Sequence, residues 1–155
     1  MPCEFRARRL VEFADTDAAG IMHFANYFRI MEAVEHAFIR SIGETVHVQV
    51  GDKMTGWPRV EVSCRYFAPF RFQDEMEVQL LVERKTDKAI TYRLNFRKVD
   101  EGGSTDASPV VARGSVTALY ATNHGPDGRL RAAPMPESFM RLIEAAPPDL
   151  LNADQ

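Results

Sequence analysis

Two carboxylates stand two residues apart in the segment Asp15-Thr16-Asp17-Ala18-Ala19-Gly20-Ile21-Met22-His23-Phe24-Ala25-Asn26-Tyr27. A loop of small residues leads there into a run with helical periodicity, and that order brings two chemical resources together. The start of a helix offers backbone N–H groups that lack intrahelical acceptors, at the positive end of the helix dipole, which suits a developing oxyanion. A carboxylate a few residues upstream can serve as general base or as nucleophile. Acyl hydrolysis requires both parts. Asp and Asn ahead of a helix are also ordinary caps and turn formers, so the spacing by itself leaves both roles open.

Other chemistry has less support. The sequence contains no HExxH, GxSxG, GxGxxG or Walker lysine motif, and His23, His36, His47 and His124 fall at no ligand spacing. No metal and no bound cofactor are therefore expected. Cys3 and Cys64 are far apart and form no CxxC pair, which reads as two free thiols in a reducing cytoplasm. Glu32, Glu35 and His36 lie further along the helical run as secondary acid–base candidates. Arg59, Arg65, Arg93, Arg97 and Arg113 occupy polar strand positions, as solvated charges or as contacts to phosphates.

The elements that must position these groups follow from periodicity. Residues 5–13 alternate between Phe5, Ala7, Val11 and Phe13 on one side and Arg6, Arg8 and Glu12 on the other, a strand with one wet face. The turn-forming stretch 14–20 ends at Gly20, which takes positive φ without strain. From Phe24 the period changes: Phe24, Phe28, Met31, Val34, Phe38 and Ile42 predict one long amphipathic helix closed by Gly43. A loop containing Gly51, Asp52 and Gly56 follows. Stretches 57–67, 75–83 and 90–97 then alternate as strands with a polar face, and 110–121 reads as a longer strand. Turn residues at 123–128, a short helix over 136–145 and a polar tail complete the chain. The sum is an α+β fold, one antiparallel sheet packed on a central helix, as a single domain over 1–146 with a flexible tail over 147–155. One helix leaves a sheet edge or face uncovered, so a homo-oligomer is expected.

Composition narrows the function classes. With 155 residues, 45% hydrophobic and 26% charged, the chain is ordinary globular material and long enough for a full core. Nineteen Lys and Arg against 22 Asp and Glu give a formal charge of -3, which offers no general attraction to nucleic acid or to an anionic membrane. No apolar run has the length of a membrane span, and the basic start Arg6, Arg8, Arg9 is followed by acids rather than by an apolar signal segment.

The segment EFADTDAAGIMHFANYFRIMEAVEHAF resembles the signature of the 4-hydroxybenzoyl-CoA thioesterase family: a DxDxxG loop, an aromatic residue, an Ala-Asn-Tyr triplet and a long helix. Tyr66-Phe67-Ala68-Pro69-Phe70 and Phe72-Gln73-Asp74-Glu75 are similar to the same family, and the likeness spans about 5–120. The resemblance implies a hotdog fold, dimers as the minimal unit with tetramers common, and active sites at subunit interfaces. It implies an acyl-CoA thioesterase in which Asp17 attacks the thioester carbonyl or activates water and the Phe24 backbone N–H polarises that carbonyl. Gly20 then supplies the close turn, and Asn26 and Tyr27 fix the helix entry where substrate binds. Many relatives place a histidine directly before Ala-Asn-Tyr, where this chain has Phe24, with His23 one residue earlier. A second branch of hotdog thioesterases uses a helix glutamate, which makes Glu35 an auxiliary candidate. Hydrolysis of acyl groups on acyl carrier protein, and non-catalytic acyl binding, are the alternative readings.

Overall fold

The computed structural model describes residues 2–153. Alternating apolar positions build an antiparallel five-stranded sheet in the order β1-β5-β6-β7-β4, from β1 (Glu4–Leu10), β4 (Arg59–Tyr66), β5 (Glu75–Lys85), β6 (Ala89–Lys98) and β7 (Val110–Leu119). Met76, Val78, Leu80 and Val82 of β5, with Ile90, Tyr92, Leu94 and Phe96 of β6, form the floor of the core. The long helix α1 (Phe24–Ser41) packs on that floor through Tyr27, Ile30, Met31, Val34, Phe38 and Ile39, which recur every three or four residues. The register Leu80↔Leu94↔Gly114 runs across the sheet beneath the helix. A Cβ at Gly114 would stand 1.9 Å from Met31 Sδ, so the glycine lets this methionine sink into the sheet.

Several expectations need correction. Phe24 belongs to the predicted apolar stripe but is 62% exposed, because it opens the helix, where its ring stacks on that of His23 rather than joining the core. The stretch 43–56 is not a plain loop. It carries β2 (Val48–Val50) and β3 (Lys53–Gly56), which turn at Gly51-Asp52 and join β8 (Ala121–Thr122) and β9 (Arg131–Ala132) in a second, four-stranded sheet. The helix expected over 136–145 is a single turn, α2 (Glu137–Met140). Lys85 Nζ donates to the carbonyls of Met140 (2.9 Å) and Ile143 (2.6 Å), occupying acceptors that a further turn would need. Within 147–155, α3 (Pro148–Asn152) is helical, Arg93 Nη1 donates to the Leu151 carbonyl at 2.6 Å, and residues 154–155 lie outside the described residues.

The polar face of β5 and β6 is not wet either. Glu77, Gln79, Asn95 and Arg97 are buried. Glu77 accepts from Arg6 (2.8 Å), Arg8 (3.2 Å) and Thr105 (2.9 Å), while Gln79 Oε1 accepts from Asn95 (3.2 Å) and Arg97 (3.1 Å). Long side chains from β1 and a threonine from the β6–β7 loop fold over these groups and satisfy them, which makes the burial tolerable.

Candidate active site

The segment leading into α1 is pinned at several points. After β1, the Val11 N–H donates to the Asp74 carbonyl (2.8 Å) and the chain turns through a 3-10 helix, Phe13–Asp15. Asp15 is buried. Its carboxylate accepts from Arg9 Nη2 (2.9 and 3.2 Å) and from the Glu12 N–H (2.9 Å). Its carbonyl accepts from the His23 N–H (2.9 Å) and from Asn26 Nδ2 (2.8 Å). Asn26 therefore clamps the helix start to the base of the loop, so its side chain contacts the protein's own backbone.

The loop closes on itself between these anchors. Thr16 pairs with Met22, the Asp17 N–H donates to the Ile21 carbonyl (3.0 Å), and the Gly20 N–H donates to the Asp17 carbonyl (2.9 Å). Gly20 has φ +75, the left-handed conformation that the turn requires. Asp17 thus stands across from Ile21, two residues ahead of the residue that caps α1. Oδ1 accepts from the Ala19 N–H at 2.8 Å in an Asx turn, and the residue is half-buried. Oδ2 takes no hydrogen bond from the described residues.

His23 is the N-cap. Its Nδ1 accepts from the Ala25 N–H (3.1 Å), its carbonyl accepts from the Asn26 N–H (3.0 Å), and its ring stacks on that of Phe24 at 4.5 Å between centroids. The ring accordingly serves the first turn of the helix, with Nδ1 as the acceptor. With those amides taken, the Phe24 N–H at the first helical position is left without a protein acceptor among the described residues. Tyr27 lies buried behind it, edge-on to Tyr66 (4.9 Å) and Phe96 (5.3 Å); burial pushes its phenol up to about 12, so it stays neutral.

Tyr66 was not among the residues singled out from sequence. Its hydroxyl donates to the Phe24 carbonyl at 3.1 Å and holds the first turn of α1 against β4. The aromatic run at 66–70 was the available signal, but nothing in it says which ring reaches the helix.

Glu35 is buried three turns along α1 and bonds Arg59, which also lies 3.4 Å from His36. Burial pushes the Glu35 carboxyl up, with Arg59 pulling the other way; burial and then the Arg59 charge push His36 down. Arg93 pairs with Glu83, Arg97 reaches Gln79, and Arg113 Nε donates to Asn95 at 2.9 Å, so these arginines belong to the sheet's outer face rather than to the loop. Among the described residues no group of three His, Cys, Asp or Glu is placed to hold a metal ion, and no helix is long and apolar enough to cross a membrane.

The loop and the helix start lie within residues 11–143, which the sequence profile of the thioesterase-like superfamily matches. The chain belongs to the thioesterase-like superfamily. It is similar to a 4-hydroxybenzoyl-CoA thioesterase of Pseudomonas sp., 26% identical over 137 residues that cover 85% of this chain and 92% of the relative. A 1,4-dihydroxy-2-naphthoyl-CoA hydrolase of Prochlorococcus marinus is 29% identical over 111 residues, 66% of this chain and 72% of that one. Among solved structures, a gentisyl-coenzyme A thioesterase superposes with TM-score 0.72 at 28% identity, covering 89% of this chain and 98% of that one. The Pseudomonas sp. thioesterase structure gives TM-score 0.74 at 21% identity, with 91% and 99% covered. The expected α+β hotdog fold is the one these neighbours share, a sheet wrapped on a central helix. Within the superfamily match, Asp17, Gly20, His23, Phe24, Asn26 and Tyr27 form one continuous stretch that the loop pairings fold into a compact unit.

Proposed function

We propose that the protein hydrolyses acyl-CoA thioesters to free acid and CoA thiol, with Asp17 and the Phe24 N–H as the working pair. The observation that carries this reading is that one self-pairing segment, Thr16 to Phe24, holds two groups with open hydrogen-bonding capacity. Among the described residues, Asp17 has one oxygen fixed by Ala19 and the other without a protein donor, and the Phe24 N–H at the start of α1 lacks a protein acceptor. A thioester carbonyl oxygen placed on the Phe24 N–H gains a donor aligned with the helix dipole, which strengthens as charge develops on that oxygen. Asp17 then acts by one of two balanced routes. Its carboxylate adds to the carbonyl carbon, the C–S electron pair leaves with sulfur, and water opens the resulting mixed anhydride. Alternatively it takes a proton from water whose oxygen adds to the same carbon, and the thiolate is released and protonated. Both routes need the carboxylate ionised. Gly20 shapes the turn, His23 caps the helix and so orients the Phe24 amide, and Asn26 and Tyr27 hold the helix start in place. The activities named for the 4-hydroxybenzoyl-CoA thioesterase and the 1,4-dihydroxy-2-naphthoyl-CoA hydrolase, both on CoA thioesters, support CoA as the donor.

We extend the reading to assembly and compartment. β4 is an edge strand with Val60, Val62 and Tyr66 exposed, and Phe67 just beyond it is exposed too. A second copy covering that edge would remove apolar surface from water and build a dimer, from which a tetramer can form. The free thiols Cys3 and Cys64 suit a reducing cytoplasm. The catalytic unit is the single domain 1–146.

Asp17→Asn tests the central assignment. The amide retains an oxygen for the Ala19 N–H but cannot act as base or nucleophile, so thiol release should fall by roughly 10²- to 10⁴-fold. Thiol release from a panel of acyl-CoA esters measures it, and full activity in Asp17→Asn overturns the assignment.

A further inference from the structure

α1 and the edge strand β4 run side by side in opposite directions and are joined by a polar contact at each end. At the helix start the Tyr66 hydroxyl donates to the Phe24 carbonyl at 3.1 Å. Three turns on, Arg59 Nη2 donates to Glu35 Oε2 at 2.6 Å. Positions 24 and 35 fall on nearly the same helix face, separated by about 16 Å along the axis. Between the two contacts lies a cavity of about 160 Å³, walled by Phe28, Met31, Val62 and Val116, lined also by the exposed Glu32, and bounded at its far end by the Glu35–Arg59 pair. Its floor depends on Met31 being sunk over Gly114.

We infer that this trough holds the acyl group, and that the distance between the two contacts selects a straight aliphatic chain of roughly ten carbons. The assignment rests on the hydrolase reading above, which puts the thioester carbonyl at the helix start. From there a single aryl ring reaches the neighbourhood of Phe28 and leaves Met31, Val62 and Val116 uncovered. An extended chain continues along the apolar walls, gaining about fourfold in affinity for each methylene it buries. The far end is a stop: a longer chain must displace Arg59 from the buried Glu35, which strands the glutamate without its partner.

Steady-state thiol release from acetyl-, hexanoyl-, decanoyl-, palmitoyl- and benzoyl-CoA tests the assignment. The expected result is kcat/KM rising by at least about 100-fold from acetyl to decanoyl and falling at palmitoyl, with benzoyl below decanoyl. Val62 is 49% exposed on the edge strand that the proposed dimer covers, so Val62→Trp, whose indole fills the trough, is compared with the parent at matched oligomeric state. In that variant the decanoyl-to-acetyl ratio of kcat/KM should drop roughly tenfold or more. A maximum at acetyl or benzoyl overturns the assignment while leaving the hydrolase reading intact, as does an unchanged ratio in a natively folded Val62→Trp protein. No thiol release from any ester overturns the hydrolase reading and this assignment with it.

Discussion

At Asp15 both carboxylate oxygens are occupied inside the protein, by Arg9 and by the Glu12 N–H, whereas the Asp17 carboxylate has a single backbone N–H as its partner among the described residues. The two acids of one DxD motif therefore separate into a group that builds the loop and a group that the loop presents. Stability and turnover should separate in the same way. Asp15→Asn loses a charge-assisted pair on a buried side chain and should lower unfolding free energy by about 1–2 kcal/mol. Asp17→Asn, which keeps its Asx turn, should stay within about 0.5 kcal/mol of the parent. Urea titrations at neutral pH of both variants decide it; equal destabilisation would make Asp17 a second structural acid. This part of the site was legible in the sequence because it is local, with every named residue between 15 and 27. The non-local partners were not legible. Arg9 reaches Asp15 across a turn, and Tyr66 reaches Phe24 from 42 positions away. The capping role of His23 was also hidden, since it depends on the residue standing just outside the helix with its ring turned back on Ala25.

Among the elements, those with a sustained period were readable and those without one were not. α1 and the inner faces of β5 and β6 repeat apolar residues over two or more turns or over four alternate positions, which one buried face enforces. β2 is exposed along its whole length, so no burial pattern marks it, and β8 and β9 are two residues each. Only Gly51-Asp52 between short runs hinted at a hairpin. Gly114 is the converse case, a residue that weakens a strand pattern yet sits at its centre. The helix comes so close that the Met31 sulfur occupies the space of a side chain there. Gly114→Ala restricts the unfolded chain, which alone favours folding, but the Cβ at 1.9 Å from Met31 Sδ is overpacking that should outweigh it, for a net loss of about 1–2 kcal/mol. Shortening Met31 removes the clash, so Gly114→Ala combined with Met31→Ala should be less destabilised than the sum of the two single changes by about 1 kcal/mol or more. Denaturant unfolding of the four proteins closes the cycle, and strict additivity would mean that Met31 does not need the glycine.

Taken as a whole, the molecule buries β5 and β6, the centre of its sheet, on both sides by different means. The inner side is apolar and covered by α1; the outer side is polar and covered by arginines from β1 and by Thr105. Alternation announced the outer residues as polar, but their burial depends on side chains arriving from distant segments, which periodicity does not encode. Glu77 is the centre of that cover, tying β1, β5 and the β6–β7 loop together. Burial alone would raise its carboxyl, but hydrogen bonds from Thr105, Arg6 and Arg8, with the charge of Arg6, outweigh burial and hold it below the usual carboxylate range. A carboxyl lowered on folding favours the native state at pH values above its unfolded pKa. As pH falls, the unfolded chain takes up the proton first, and the contribution is lost by the time pH passes below the lowered native value. Thermal unfolding midpoints should therefore fall as pH drops from neutral through and below the ordinary carboxylate range. Glu77→Gln should start lower at neutral pH, show a shallower fall over that window and meet the parent curve at its acid end. Two curves that stay parallel to the acid limit would show that the stability lost there comes from other carboxylates and that Glu77 is not what joins the three segments.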